Sequence, residues 1–140
     1  MMQADSSVSN SKLEEWNKAA EGTFWDLLGC TIEKVTGSEV TAVLEIEPRH
    51  LNLIGILHGG VHATMIDSAM GLMAMVAKPE ANVVTTNLNI QYVAKAELAT
   101  MVRVTAEIVH VSRKSITAQA FVRTESGDLC AFGTGTFRVI

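Results

Sequence analysis

The sequence predicts an α+β domain in which one long helix lies against a sheet of about six mostly antiparallel strands. Three observations carry this. A strongly apolar stretch from about Gly60 to Ala77 reads as a single helix, closed by Pro79. Shorter stretches on either side of it read as strands, several of them with apolar residues at every second position. The order is strand, strand, helix, then four strands, with neither an internal repeat nor a linker.

The elements follow in order. Residues 1–10, MMQADSSVSN, read as a disordered start, which leaves residues 11–140 as one domain. Ser11 is placed to cap a short helix over Lys12–Ala20, with Glu14 and Glu15 in its first turn, where the helix dipole favours negative charge. Phe24–Leu28 reads as a further helical turn ended by Gly29. Strands are expected near Cys30–Thr36 and Glu39–Glu47, joined by a Gly37-Ser38 turn. The second alternates cleanly, with Val40, Ala42, Leu44 and Ile46 on one face and Glu39, Thr41, Glu45 and Glu47 on the other. Pro48–Leu57 is a loop. After the long helix come strands near Val83–Tyr92, Thr100–Val111, Lys114–Thr124 and Asp128–Val139. Their inward sets include Val102, Val104, Ala106 and Ile108, then Ile116, Ala118, Ala120 and Val122. Ser112-Arg113 and Ser126-Gly127 supply hairpin turns.

Composition narrows the function classes. A chain of 140 residues with 48% hydrophobic content can bury a real core, built here from aliphatic residues and seven methionines. Net charge is -4 and no dense basic patch is present, which argues against nucleic acid as a partner. The first 20 residues lack the charged-then-apolar pattern of a signal peptide. The longest apolar run, Ala69 to Ala77, is nine residues, too short to span a bilayer, so no membrane partner is expected. Cys30 and Cys130 form no CxxC pair and read as reduced core residues of a cytoplasmic protein.

The most informative segment is LHGGVHATMIDSAM, Leu57 to Met70. Its helix carries a single carboxylate, Asp67, and an isolated charge on an apolar helix is expensive to bury unless paired, protonated or functional. His58, Gly59 and Gly60 stand at the helix start, where a Ser, Thr, Asp or Asn cap is usual. An uncapped, glycine-lined N-terminus leaves backbone donors free for a ligand's oxygen. Around the helix, Gly60, Ala63, Thr64, Asp67, Ser68, Gly71 and Ala74 fall on one side. Met65, Ile66, Ala69, Met73 and Val76, with His62, fall on the other. The bulky face is expected on the sheet and the small, polar face against a partner subunit or a substrate channel. Asp67 suits a general base or a nucleophile toward an acyl carbonyl, with the N–H groups of Gly59 and Gly60 holding the developing oxyanion.

Other chemistries fit less well. His58 and His62 are four apart, as in zinc-binding helices, but Gly59 stands where a glutamate belongs and no third ligand is evident, so no metal or cofactor is expected. Phosphate-loop, dinucleotide-binding and GxSxG patterns are all missing. His50 and His110 read as structural. Arg113 and Lys114 sit in a hairpin turn, either simply solvated or in contact with phosphates of a nucleotide-bearing substrate, and Arg49 lies just upstream of the site loop.

The HGG turn opening a central helix, with an acid nine residues after its histidine, resembles the hotdog-fold acyl-CoA thioesterases. The phenylacetate-pathway type and the thioesterase superfamily member 2 type are the nearest in pattern. The resemblance covers about Cys30 to Val139 and implies a curved antiparallel sheet wrapped around one helix. It implies that Asp67 is the catalytic carboxylate and that the Gly59 N–H polarises the thioester carbonyl. His58 and Asn52 match residues that shape that turn and help hold the carbonyl or a water. Thr85 falls where some relatives have a water-orienting serine and keeps the hydroxyl. The 4-hydroxybenzoyl-CoA type uses Glu at the helix position, so Asp67 favours the phenylacetate-like branch. Two subunits join their sheets in this family, with the site between them, so the resemblance implies a homodimer or a tetramer of two dimers. Two rivals are a hydratase or dehydratase on a similar fold, which pairs a histidine with the acid, whereas His58 is spent in the glycine turn and no other histidine is placed near Asp67, and an acyl-CoA binding module without turnover.

Overall fold

The computed structural model describes residues 4–140, with side chains from residue 11 onward. The elements are helices α1 (Ala4–Ala19) and α2 (Phe24–Leu28), strands β1 (Thr31–Val35) and β2 (Val40–Glu45), a 3-10 turn at Pro48–His50, helix α3 (Gly59–Ala77), and strands β3 (Val83–Tyr92), β4 (Met101–Val111), β5 (Ser115–Thr124) and β6 (Leu129–Val139). Every strand expected from the sequence is present to within a residue or two. The amino-terminal helix differs: it begins at Ala4, two turns before the expected start at Ser11, so the expected disordered segment lies partly in a helix. Extending an existing helix costs far less than nucleating one. The nucleus here is held by Trp16, which is buried, and by the Asn17 side-chain amide, which exchanges hydrogen bonds with both the N–H and the C=O of Ile32 at 3.3 Å. Residues 1–3 of the expected disordered start lie outside the described residues.

The sheet is a single antiparallel layer of order β1-β2-β4-β5-β6-β3, curved around α3. The chain leaves β2, runs the length of α3, and re-enters the sheet at the opposite edge as β3. A 19-residue helix spans roughly 28 Å, enough to cross a sheet of this width diagonally. The bulky helix face is buried as expected: Met65, Ile66, Ala69 and Met73 lose all exposure, joined by Met70 and by Ala74, which the helix wheel had placed on the small side. β6 makes room for that face with glycines. A Cβ at Gly133 would stand 2.6 Å from the Asn89 carbonyl oxygen and 3.4 Å from Ile66, and one at Gly135 would stand 2.7 Å from the Met70 methyl. Opposite the helix, Val40, Ala42 and Leu44 of β2, Val102, Val104 and Ala106 of β4, and Ile116, Ala118, Ala120 and Val122 of β5 complete the core.

α3 is the one helix among the described residues long and apolar enough to cross a bilayer, and here it lies against the sheet. β3 is the contrasting element. It is an edge strand and is exposed along most of its length, including Val84, Leu88 and Tyr92.

Candidate active site

The start of α3 is built from the loop before it. Asn52 Oδ1 accepts from the N–H groups of Ile54 (3.0 Å) and Ile56 (3.2 Å), which folds Asn52–Ile56 into a tight turn. His50 fastens that turn to the rest of the chain. Its Nδ1 accepts from the Glu47 N–H at 2.9 Å, its Nε2 donates to the Leu28 carbonyl at 2.6 Å, and its own carbonyl accepts from the His58 N–H. The expected structural role of His50 is thus explained.

The helix is not uncapped, contrary to expectation. His58 is its N-cap, with extended backbone at φ −65° and ψ 138°, and its Nδ1 accepts from the Gly60 N–H at 2.8 Å. An imidazole nitrogen two residues upstream does what a serine oxygen usually does. Gly60 is therefore not an oxyanion donor, because its N–H is already bonded. The Gly59 N–H has no hydrogen-bond partner among the described residues. One of the two expected donors is free and the other is not. Thr64, expected to meet substrate, turns its hydroxyl back onto the Gly60 carbonyl at 2.9 Å.

Asp67 lies two turns further on. It is half-buried rather than fully enclosed, which is how a lone carboxylate on this helix is tolerated without a cation beside it. Its Oδ1 accepts from the Thr85 hydroxyl at 2.8 Å, and Oδ2 has no protein partner among the described residues. Asp67, Ser68 and Thr85 line one cavity of about 410 Å³ whose other walls are largely apolar. Trp16 and Trp25, from α1 and α2, form part of that wall together with Met75 and Phe137. Sequence reasoning missed both tryptophans, since nothing local to them points toward α3. Of the methionines on α3, Met75 lines this cavity, while Met65, Met70 and Met73 are core.

A β-bulge brings Thr85 to Asp67. Strict alternation along β3 would put Thr85 and the even-numbered Ile90 and Tyr92 on opposite faces. The register against β6 slips between Thr85 and Asn87, so one extra residue is accommodated there. As a result Thr85 reaches Asp67, Ile90 packs on the core, and Tyr92 reaches the start of α3, all on the helix side. Tyr92 donates to the Gly59 carbonyl at 2.9 Å. It too was missed. The antiparallel run of α3 and β3 would have matched the end of one with the start of the other.

Asn52, His58 and Gly59 form a second cluster beside Tyr92 and Lys95. It is separate from the Asp67 cavity. Eight residues of helix put Asp67 roughly 12 Å along the axis from Gly59, so one chain cannot bring both to the same carbonyl. His62, between them, is 3% exposed, and burial holds its pKa below the ordinary value, so it is a neutral core residue as expected.

The basic residues divide. Arg49 is structural: its guanidinium donates to the Leu27 and Leu28 carbonyls at the end of α2 and to Glu47 Oε1, on the outer side of β2, away from α3. Its expected role in binding a nucleotide is not what its contacts show. Arg113 and Lys114 are exposed in the β4–β5 turn, and neither forms an ion pair among the described residues. Pairing of Ser115 with Arg138, and of Arg138 with Val84, puts that turn at the Thr85 end of the sheet. Cys30 and Cys130 are both buried free thiols, and burial pushes Cys30 up to about 12. Among the described residues no group of three or more His, Cys, Asp or Glu side chains is placed to hold a metal.

A model of the thioesterase superfamily matches residues 54–131, from the turn before His58 through the first residues of β6. The chain belongs to the thioesterase superfamily. This thioesterase is a hotdog-fold protein and a thioester hydrolase. It is 34% identical over 126 residues to a putative esterase of Halobacterium salinarum, covering 80% of this chain and 81% of that one. It is 27% identical over 107 residues to acyl-coenzyme A thioesterase 13 of Homo sapiens, 76% of each chain. Among solved structures it is similar to the phenylacetic acid degradation protein PaaI from Thermus thermophilus. The TM-score is 0.78 at 28% identity, over 84% of this chain and 98% of that one.

Proposed function

We propose that this thioesterase hydrolyses an acyl- or aryl-CoA thioester to the free acid and CoA, at sites shared between two copies of the chain. The observation that carries this is Asp67. It is a half-buried carboxylate with one oxygen held by Thr85 and the other unengaged, on the wall of an apolar cavity large enough for an acyl group. In the proposed reaction the carbonyl oxygen rests on the free Gly59 N–H of the second copy, at the positive end of α3. Asp67 either takes a proton from an attacking water or attacks the carbonyl itself. The tetrahedral oxyanion collapses with departure of the CoA thiolate, which takes up the proton removed from water; after direct attack by Asp67 a water then hydrolyses the mixed anhydride, so either route releases the free acid from the Asp67 cavity. Thr85 fixes the carboxylate rotamer so that Oδ2 faces the carbonyl.

Two features support a paired assembly. Asp67 and Gly59 are too far apart within one chain to share a carbonyl, and β3 leaves an unpaired edge with exposed Val84, Leu88 and Tyr92. A second copy would satisfy both, giving a homodimer or a tetramer of two dimers. Arg113 and Lys114 would meet the CoA phosphates, a charge-assisted contact remote from the thioester. The buried free thiols fit a reducing, cytoplasmic setting. A hydratase reading lacks its histidine, since His58 is spent on the cap and His62 is buried.

The test is thiol release from a panel of acyl- and aryl-CoA substrates by the wild type and by Asp67→Asn. The variant keeps shape and loses charge, and turnover should fall about 10²–10⁴-fold with binding retained. Absence of thiol release by the wild type, or an Asp67→Asn variant within about tenfold of it, would refute the proposal.

A further inference from the structure

We propose that Tyr92 is a positioning residue that aims the Gly59 N–H at the substrate oxygen. This rests on the reading of Gly59 as the oxyanion donor. The free N–H belongs to a glycine, whose backbone torsions are the least restricted of any residue. A donor on such a hinge swings unless its neighbouring peptides are fixed. The peptide that carries the donor is held at its other end, where the His58 carbonyl accepts from Val61 at 2.9 Å. The next peptide, Gly59–Gly60, is held at both ends. Its N–H goes to His58 Nδ1 at 2.8 Å, and its carbonyl oxygen, an acceptor in the first turn of the α3 ladder, also accepts from the Tyr92 hydroxyl at 2.9 Å. With both flanking peptides fixed, the torsions at Gly59 are fixed too, and the N–H points one way.

The second half of that clamp comes from a strand, which ties the donor's direction to β3. The Tyr92 ring also lies 3.4 Å from where a Gly59 Cβ would be, and it packs edge-on to His62 with centroids 5.9 Å apart. Ring and hydroxyl therefore have separable roles: the ring packs, and the hydroxyl clamps. The same β3 carries Thr85, the group that orients Asp67. One strand thus sets both the acid and the oxyanion donor, and the bulge between Thr85 and Asn87 is what lets it do so.

Tyr92→Phe removes the hydroxyl and keeps the ring. Loss of one neutral hydrogen bond predicts a fall in kcat of roughly three- to tenfold, with oligomeric state and Tm close to those of the wild type. Two inert CoA ligands separate positioning from general damage: a ketone analogue, which offers a carbonyl oxygen, and a thioether, which does not. Tyr92→Phe should weaken the ketone and leave the thioether unchanged. An unaltered kcat, or equal weakening of both ligands, would overturn the proposal. The Gly59 reading is checked separately by Gly59→Pro. If that variant is fully active, the oxyanion assignment itself fails, and if it is inactive while Tyr92→Phe is not impaired, only the role of Tyr92 fails.

Discussion

The separation of Asp67 from Gly59 makes the shared site testable by complementation. Gly59 is the first residue of α3, a position where proline is well tolerated because its N–H bonds nothing in the helix. His58 already has the extended backbone that a residue before proline adopts, and the Tyr92 ring is at ordinary contact distance from a Cβ there. Gly59→Pro therefore deletes the donor with little disturbance. Alone it should cost about 10²–10³-fold in turnover, and Asp67→Asn alone about 10²–10⁴-fold. In a mixed dimer with sites shared between chains, the Asp67→Asn chain lends its intact Gly59 to the other chain's intact Asp67. One site of the two is whole. Purified mixed dimers, carrying a different affinity tag on each chain, should recover about half the wild-type turnover, and an unselected equal mixture about a quarter. The assay is thiol release from one CoA substrate at saturation. Mixed dimers no more active than either parent, alongside a wild-type dimer that is active, would mean that each site lies within one chain and would refute the distance argument.

Four further outcomes are expected. Gly133→Ala would press a Cβ to 2.6 Å from the backbone oxygen of Asn89, an atom that cannot turn aside, and should destabilise by about 1–3 kcal/mol, read as a Tm several degrees lower. His62 has its pKa lowered by burial, so the unfolded chain binds its proton at a higher pH than the folded one does. Its contribution is present above the ordinary 6.5 and is lost as pH falls below it, so His62→Phe should flatten the decline of Tm between about pH 7 and 5, and parallel curves would contradict this. Arg49→Ala should lower Tm without raising KM, because its contacts are to the α2 carbonyls. Arg113→Ala with Lys114→Ala should raise KM for a full CoA thioester but not for a pantetheine thioester, and less so at high salt.

Much of this protein is legible in its sequence because its signals are local. The period of β2, β4 and β5, the glycine after α2, the proline after α3 and the apolar stripe of α3 each depend on residues a few positions apart, so they give the strands, the central helix and its buried face. Asp67 stands out for the same reason, as a lone charge in an apolar run. The misses depend on rotamers, on register and on segments that meet only in the fold. That His58 caps the helix and withdraws Gly60 depends on a rotamer. That Arg49 serves α2 depends on two segments more than twenty residues apart meeting. The tryptophan wall of the Asp67 cavity depends on where α1 and α2 settle against the sheet and α3. The bulge that turns Thr85 toward Asp67 is a property of the pairing between β3 and β6, and a single strand has no register until it has a neighbour. The sequence names the acid and the glycine. Their distance along a rigid helix, and the strand that aims them both, exist only once the chain is folded.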